Sequence, residues 1–315
     1  MESNRRIFLK QGSILTLGLF GLLNNLQGAN DVKIGYLPIT DHLVIIANAL
    51  PDSKQKFTHL KFASWADIAQ AFSSGAIDGA FLLAPLALKI HAQGVKIKAL
   101  MAAHRNGSAL VVSSKGNIDN VSKLKGSKIA IPSRFSIHYI LLCELLAKNN
   151  IDLKDVKLID MSPTEMVAQL ATGGIDAFIV AEPFAIQAQT IGVGRVLILS
   201  KDIRANHICC LFCASENLYS DKNLATNLVS SFVNAANFIT NNPSKASEIS
   251  KQFLGQKPEI IDALLKQKDR VIYKHLKLQQ DEVALIAKNA KDLNLGNFNV
   301  DNFIDSSFLD SVYKG

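Results

Sequence analysis

The stretch Gly75–Pro85, GAIDGAFLLAP, returns at a constant offset of 98 as Gly173–Pro183, GGIDAFIVAEP. Gly75/Gly173, Ile77/Ile175, Asp78/Asp176, Pro85/Pro183, Ala87/Ala185, Gly94/Gly192 and Val95/Val193 all keep that offset. Upstream it also aligns Trp65–Ser74 with Pro163–Thr172, acidic Asp67 falling on Glu165. A register held this long marks an internal duplication; the plainer alternative is a helix–glycine–strand unit used twice, which still gives two similar half-folds. In the first copy Ile68, Ala69, Ala71 and Phe72 form an apolar helical stripe and Gly75 is the expected C-terminal cap. Ala80–Leu83 and Phe178–Ala181 are short continuous apolar runs of the kind buried parallel strands show. Pro85 and Pro183 stand where new helices open.

Working outward, each copy is preceded by a strand and a polar helix start. Val32–Tyr36 leads through Leu37-Pro38-Ile39-Thr40-Asp41-His42 into an apolar helix, Leu43–Leu50. Lys128–Pro132 leads through Ser133-Arg134-Phe135-Ser136-Ile137-His138 into the helix Tyr139–Lys148. Turns at the carboxyl ends of such strands are where open α/β sheets hold ligands, and free N–H groups at helix starts favour an anion. The expected fold is therefore α/β with two similar lobes, a hinge and a central cleft. The first lobe is expected over 31–112 plus 208–315 and the second over 113–207, with Leu110–Val112 and Ile208–Phe212 as crossing strands. Leu224–Asn241, Pro243–Leu254, Pro258–Lys268 and Asp281–Leu293 read as helices covering the first lobe.

Residues 1–30 stand apart. Arg5-Arg6 is followed by an apolar run, Ile14–Leu23, and by small residues at Gly28-Ala29. This resembles a twin-arginine export signal, cleaved near Ala29 and serviced by the Tat export machinery. A membrane anchor is the alternative, but the run has about half of the ~20 residues a span requires, and the absence of a nearby cysteine disfavours a lipoprotein. The mature chain is expected to be soluble, periplasmic and monomeric.

With 48% hydrophobic and 19% charged residues, the 315-residue chain is too apolar for disorder. Its net charge of +7 falls to +5 without Arg5, Arg6, Lys10 and Glu2. No Lys/Arg block exists and only 7% is aromatic, so nucleic acid is not an expected partner, while a mild attraction for anions is. Cys209, Cys210 and Cys213 lie in one apolar run that reads as a buried strand. Strand geometry puts Cys209 and Cys213 ~13 Å apart and turns Cys210 and Cys213 to opposite faces, so neither pair is a disulfide. No second cysteine pair sits at metal spacing. Free thiols, no metal and no cofactor are expected.

Several segments, in their order, resemble the periplasmic substrate-binding proteins of the nitrate/sulfonate/bicarbonate transport family, most of all its nitrate- and bicarbonate-binding branch. They are Gly35–Asp41, Ala63-Ser64-Trp65, Gly75–Ala80, Asn106-Gly107, Leu124-Lys125-Gly126, His138, Met166-Val167, Gly173–Pro183 and Asp202-Ile203 with His207. The resemblance implies a type II bilobal binding protein that closes on a small anionic solute and delivers it to an ABC permease and its ATPase subunits. It also implies ligand contacts at Pro38, Asp41, Trp65, Asn106, Gly107, Ser108 and His138, while the duplication puts Pro163 and Glu182 on loops that face the cleft and Arg134 is a candidate by its place beside His138. Trp65 has a core-aromatic alternative, His138 a capping one and Arg134 a surface one. His104-Arg105, just before Asn106, has an approach to the cleft as one reading and a strand-end surface position as the favoured one. Two departures point away from nitrate: Ser108 replaces the branch's Gln, and Ile208-Cys209-Cys210 stands where the branch carries a lysine. Arg134 is the candidate replacement cation. Another class remains open: an enzyme on the same fold making a thiamine-pyrimidine or menaquinone precursor, with His42, His138, Glu182 and Asp41 available. A ligand-sensing regulator is a third. The export signal speaks against both.

Overall fold

In both copies of the repeat, the aspartate pins the start of its neighbouring strand. Asp78 Oδ2 accepts from Lys33 N at 2.8 Å, and Asp176 Oδ2 accepts from Lys128 N at 2.7 Å. Each aspartate also donates its own N–H to the same lysine's carbonyl, both at 2.9 Å. The repeated Asp is thus a strand-start clamp. These contacts come from a computed structural model that describes residues 32–314. The expected export signal lies outside the described residues.

The strands are β1 (Lys33–Tyr36), β2 (Thr58–Lys61), β3 (Gly79–Leu83), β4 (Ile97–Ala102), β5 (Arg105–Asn106), β6 (Ser108–Ser113), β7 (Lys128–Ile131), β8 (Lys157–Asp160), β9 (Ala177–Ala181), β10 (Gly194–Leu199), β11 (Cys210–Ser215) and β12 (Val271–Ile272). Ten of them build two five-stranded sheets in matching order, β2-β1-β3-β11-β4 and β8-β7-β9-β6-β10, and β5 pairs with β12 in a separate two-stranded sheet. In each sheet the first three strands are parallel and the next is antiparallel. β3 and β9 are buried along their whole length, as their unbroken apolar sequences require.

The antiparallel strand of each sheet arrives from the other half. The chain leaves β4 of the first sheet at Ala102 and enters β6 of the second at Ser108. It returns after β10 to enter β11 of the first. The two crossings, 103–107 and 204–209, lie side by side: Ala103 N donates to Cys210 O at 2.9 Å, Asn106 N to His207 O at 3.0 Å, and Arg105 bridges Ile208 antiparallel. Leu110–Val112, expected as a crossing strand, instead sits inside the second sheet, so the crossing lies upstream of the expected boundary at 112.

The helices are α1 (Trp65–Ser73), α2 (Ala84–Ala92), α3 (Ile137–Lys148), α4 (Pro163–Thr172), α5 (Phe184–Thr190), α6 (Ser200–Ile203), α7 (Glu216–Ser220), α8 (Lys222–Asn241), α9 (Pro243–Leu254), α10 (Pro258–Leu265), α11 (Gln280–Asp292) and α12 (Ser307–Lys314). The offset of 98 carries the first residue of α1 onto that of α4, and β3 onto β9. Gly75 and Gly173 follow α1 and α4 at φ +75° and +79°, the left-handed backbone of a helix end. The segment after β1 departs from expectation: Thr40–Ala49 forms tight 3₁₀ turns rather than an α-helix. α8, α9 and α12 pack on the first sheet's half, against Thr40–Ala49 and β4. Among the described residues no helix is long and apolar enough to cross a membrane.

Candidate functional site

The starts of α1 and α4, which the duplication aligns, come together across a cavity of about 500 Å³, whereas the helix starts expected to hold an anion were those at 37–42 and 133–138. Ser64, the N-cap of α1, and Ser162, the N-cap of α4, both line it. Ser64 holds its helix start by accepting from Asp67 N at 3.1 Å. Trp65 forms part of the wall from the first half; Pro132, Ser133 and Phe135, just upstream of α3, form part of it from the second. Lys89 of α2 also lines the cavity and reaches across to the Phe135 ring, 3.9 Å from its centroid. Two helix starts and the Lys89 ammonium face a common space that Asp160, paired with Arg134 at 3.4 Å, also lines; with that carboxylate countered, the combination suits an anion.

Beneath the cavity, where the crossings meet, lies a buried polar cluster. Asp41, His42, His104, Ser108, His138 and Cys209 are fully or almost fully enclosed. Asp41 Oδ2 stands 3.2 Å from His104 Nε2, and that nitrogen is 3.1 Å from Asn106 O. Ser108 Oγ and His138 Nε2 are 2.8 Å apart, and Cys209 Sγ is 3.9 Å from the same nitrogen. Cys210 Sγ is 3.9 Å from Asp41 Oδ2. The turn at Asn106-Gly107, with φ of +59° and +90°, brings His104 and Ser108 to the cluster from its two sides. Gly107 lets them close: a Cβ there would come within 2.8 Å of Asp41 Oδ1 and 3.0 Å of the His104 ring.

The cluster is electrostatically tense. Burial pushes His138 down to about 3, aided by His207 and His104. Burial and His104 hold His42 well below the usual histidine range. For His104 burial acts downward too, but Asp41 outweighs it and lifts the imidazole to about 10. Burial keeps Cys209 well above the ordinary thiol range. Asp41 Oδ1, His42 Nε2, Trp65 Nε1, His104 Nδ1, Asn106 Oδ1, His138 Nδ1 and His207 Nε2 are all buried without a hydrogen-bond partner. A group in that state costs about 1–3 kcal/mol, and seven of the ten such atoms among the described residues lie in or beside this cluster, the others being on His91, Ser215 and Asn289.

The expected contacts therefore divide. Trp65 lines the cavity, Pro163 opens α4 beside it, and the edge of Trp65 packs on His42 with 5.5 Å between centroids. Asp41, Gly107, Ser108 and His138 belong to the cluster below, and Pro38 sits half-buried on the turn leading to it. Asn106 supplies a backbone oxygen there while its side chain donates to Asp269 O at 2.9 Å. Arg134 is not among the residues that line the cavity. It pairs with Asp160 at 3.4 Å, lies over the Tyr139 ring, and its side chain is 41% exposed. Glu182 is fully buried and ties the halves together: its carboxylate is bound by Arg270 and by Ile186 N, and its carbonyl accepts from Thr40 N and Oγ1.

Three residues were misread or missed. His104, expected at the surface, is wholly buried. Cys209, expected in an apolar run, turns its sulfur to polar neighbours. Lys89 carried no signal beyond a charge near a helix end. The cysteines are free thiols as expected, with Cys143 half-buried and the other three buried.

The matching sheet orders, antiparallel exchange strands and cleft define a bilobal periplasmic-binding-protein fold. The chain belongs to the NMT1-like family, whose model matches residues 27–254. The ligand-binding component of an ABC-type import system from Staphylococcus aureus, solved with zinc bound, is 26% identical with a TM-score of 0.82, over 90% of this chain and 99% of that one. The periplasmic nitrate-binding protein of Synechocystis PCC 6803 has a TM-score of 0.79 at 16% identity, covering 90% and 88%. A nitrate import ATP-binding protein of Synechocystis is 28% identical over 207 residues, 58% of this chain and 31% of the relative. The chain thus spans less than a third of that curated relative.

Proposed function

We propose that this chain is the solute-binding component of an ABC importer, capturing a small anionic solute between its lobes and presenting it to a permease and ATPase subunits. The facing starts of α1 and α4 across a cavity that also holds Lys89 carry the reading. A nitrate-binding protein with the same fold supports an oxyanion class. The lobes correspond to the two sheets, with the paired crossings at 103–107 and 204–209 as the hinge. Closure would bring the second half's Ser133, Phe135 and Ser162 onto a solute held by Trp65 and Lys89. Export through the Tat machinery, a periplasmic location and a monomeric state complete the proposal.

The test is a thermal-shift screen over nitrate, nitrite, bicarbonate, cyanate, sulfonates and pyrimidine precursors. A ligand at 100 times its Kd stabilises by about 2.7 kcal/mol. Lys89→Ala and Trp65→Ala should each suppress the shift while leaving a cooperative transition. A panel with no shift, or one indifferent to both substitutions, overturns the reading.

A further inference from the structure

We propose that Asp41, His104 and Cys209 form a binding site for one divalent d-block ion of the zinc class, at the point where the two crossing segments meet beneath the cavity. Asp41 follows β1, His104 lies on the outgoing crossing and Cys209 on the returning one. One ligand atom from each lies within 4.8 Å of the other two, and all three residues are buried. Cysteine spacing along the chain hides such a site, because its members come from three separate segments.

The donor set selects the ion. One carboxylate oxygen, one imidazole nitrogen and one thiolate sulfur suit a borderline ion, whereas calcium and magnesium demand oxygen. Tetrahedral zinc at its usual bond lengths puts an oxygen and a nitrogen ligand about 3.4 Å apart. Asp41 Oδ2 and His104 Nε2 are at 3.2 Å, so the ion needs little rearrangement of that pair. Carboxylate and thiolate together balance the ion's two charges, which makes a buried complex neutral. Three protein ligands leave a fourth position. His138 Nε2, 3.9 Å from Cys209 Sγ, and Ser108 Oγ stand on that side to hold a water or an anion there.

Asp41 Oδ1, the second oxygen of the carboxylate that faces His104 Nε2, is fully enclosed without a hydrogen-bond partner and is free to join Oδ2 on an ion. Binding displaces the thiol proton of Cys209 and the proton between His104 and Asp41. The three ligands are distinct from the residues lining the cavity, so this site stands whether or not the cavity takes an anion.

The experiment uses the purified, tag-free chain, stripped with a chelator and titrated with zinc chloride against a chromogenic competitor, and in parallel with cobalt(II). The expected result is one equivalent per chain, with a cobalt spectrum showing a thiolate-to-metal charge-transfer band and the strong visible absorption of tetrahedral coordination. Cys209→Ser should abolish the charge-transfer band. His104→Gln should weaken zinc binding by more than the ~10–100-fold typical of losing an outer-shell partner. Cys143→Ser, remote from the cluster, should leave binding unchanged. Because Cys209→Ser and His104→Gln could misfold, the cobalt spectrum of the unaltered chain is the deciding readout. Absence of stoichiometric binding, an octahedral spectrum without thiolate character, or a charge-transfer band that survives in a folded Cys209→Ser chain overturns the proposal.

Discussion

Gly107→Ala tests whether the crossing is packed as described. At φ +90° an alanine pays the left-handed strain of about 1–2 kcal/mol. Its Cβ would also stand 2.8 Å from Asp41 Oδ1 and 3.0 Å from the His104 ring, two groups that are fully buried and cannot swing away. Forcing extra volume into such a site adds about 1–3 kcal/mol. Gly75 isolates the first contribution, since it has φ +75° with nothing within 4 Å of a built Cβ. In urea denaturation, Gly75→Ala should lose only the backbone strain, about 1–2 kcal/mol. Gly107→Ala should lose a further ~1–3 kcal/mol beyond it. Equal losses for the two variants would show that Gly107 serves the turn alone and that Asp41 and His104 do not crowd it.

Arg270→Ala should cost about 3–5 kcal/mol in the same assay, because it leaves the Glu182 carboxylate buried without its cation; a loss below 1 kcal/mol would remove the strut between the halves. Burial raises the Glu144 carboxyl, but Lys148 at 2.8 Å and Arg204 at 2.6 Å more than offset this and hold it low. Its stabilisation is therefore complete above an unfolded value of about 4.3 and disappears as pH falls through the lowered folded value. The Tm gap between the native chain and Glu144→Gln should be widest near neutrality and close in acid; a gap independent of pH contradicts this. A thiol reagent should modify at most Cys143 in the native chain and all 4 cysteines after denaturation, and rapid modification of two or more native thiols contradicts the burial of β11 and its approach.

The duplication made most of the fold legible, because a period in the sequence became a period in the sheets. β3, β9, α1 and α4 fall where the offset of 98 puts them, and Gly75 and Gly173 end their helices as expected. The helical tail was equally readable from apolar spacing and from Pro243 and Pro258 at helix starts. What escaped was exchange between halves. Leu110–Val112 is as apolar as any buried strand, and nothing local says which sheet it joins. The duplication aligned α1 with α4 but did not say that Ser64 and Ser162 would face each other, and the cluster of Asp41, His104 and Cys209 was hidden altogether: its members are remote in sequence, and a histidine at a strand end or a cysteine in an apolar run looks the same whether it faces core or site. Arg134 misled for the opposite reason, since adjacency to His138 along a turn did not place the two side chains together.

Trp65 is the only tryptophan in the chain and forms part of the cavity wall, so its emission reports directly on what enters between the lobes. Titrating the purified chain with whichever anion stabilises it should give a saturable change in that emission, at the concentration that produces the thermal shift, and Lys89→Ala should move both midpoints upward together. Stabilisation by the anion with an unchanged tryptophan spectrum would place the bound solute elsewhere and contradict capture between the two halves.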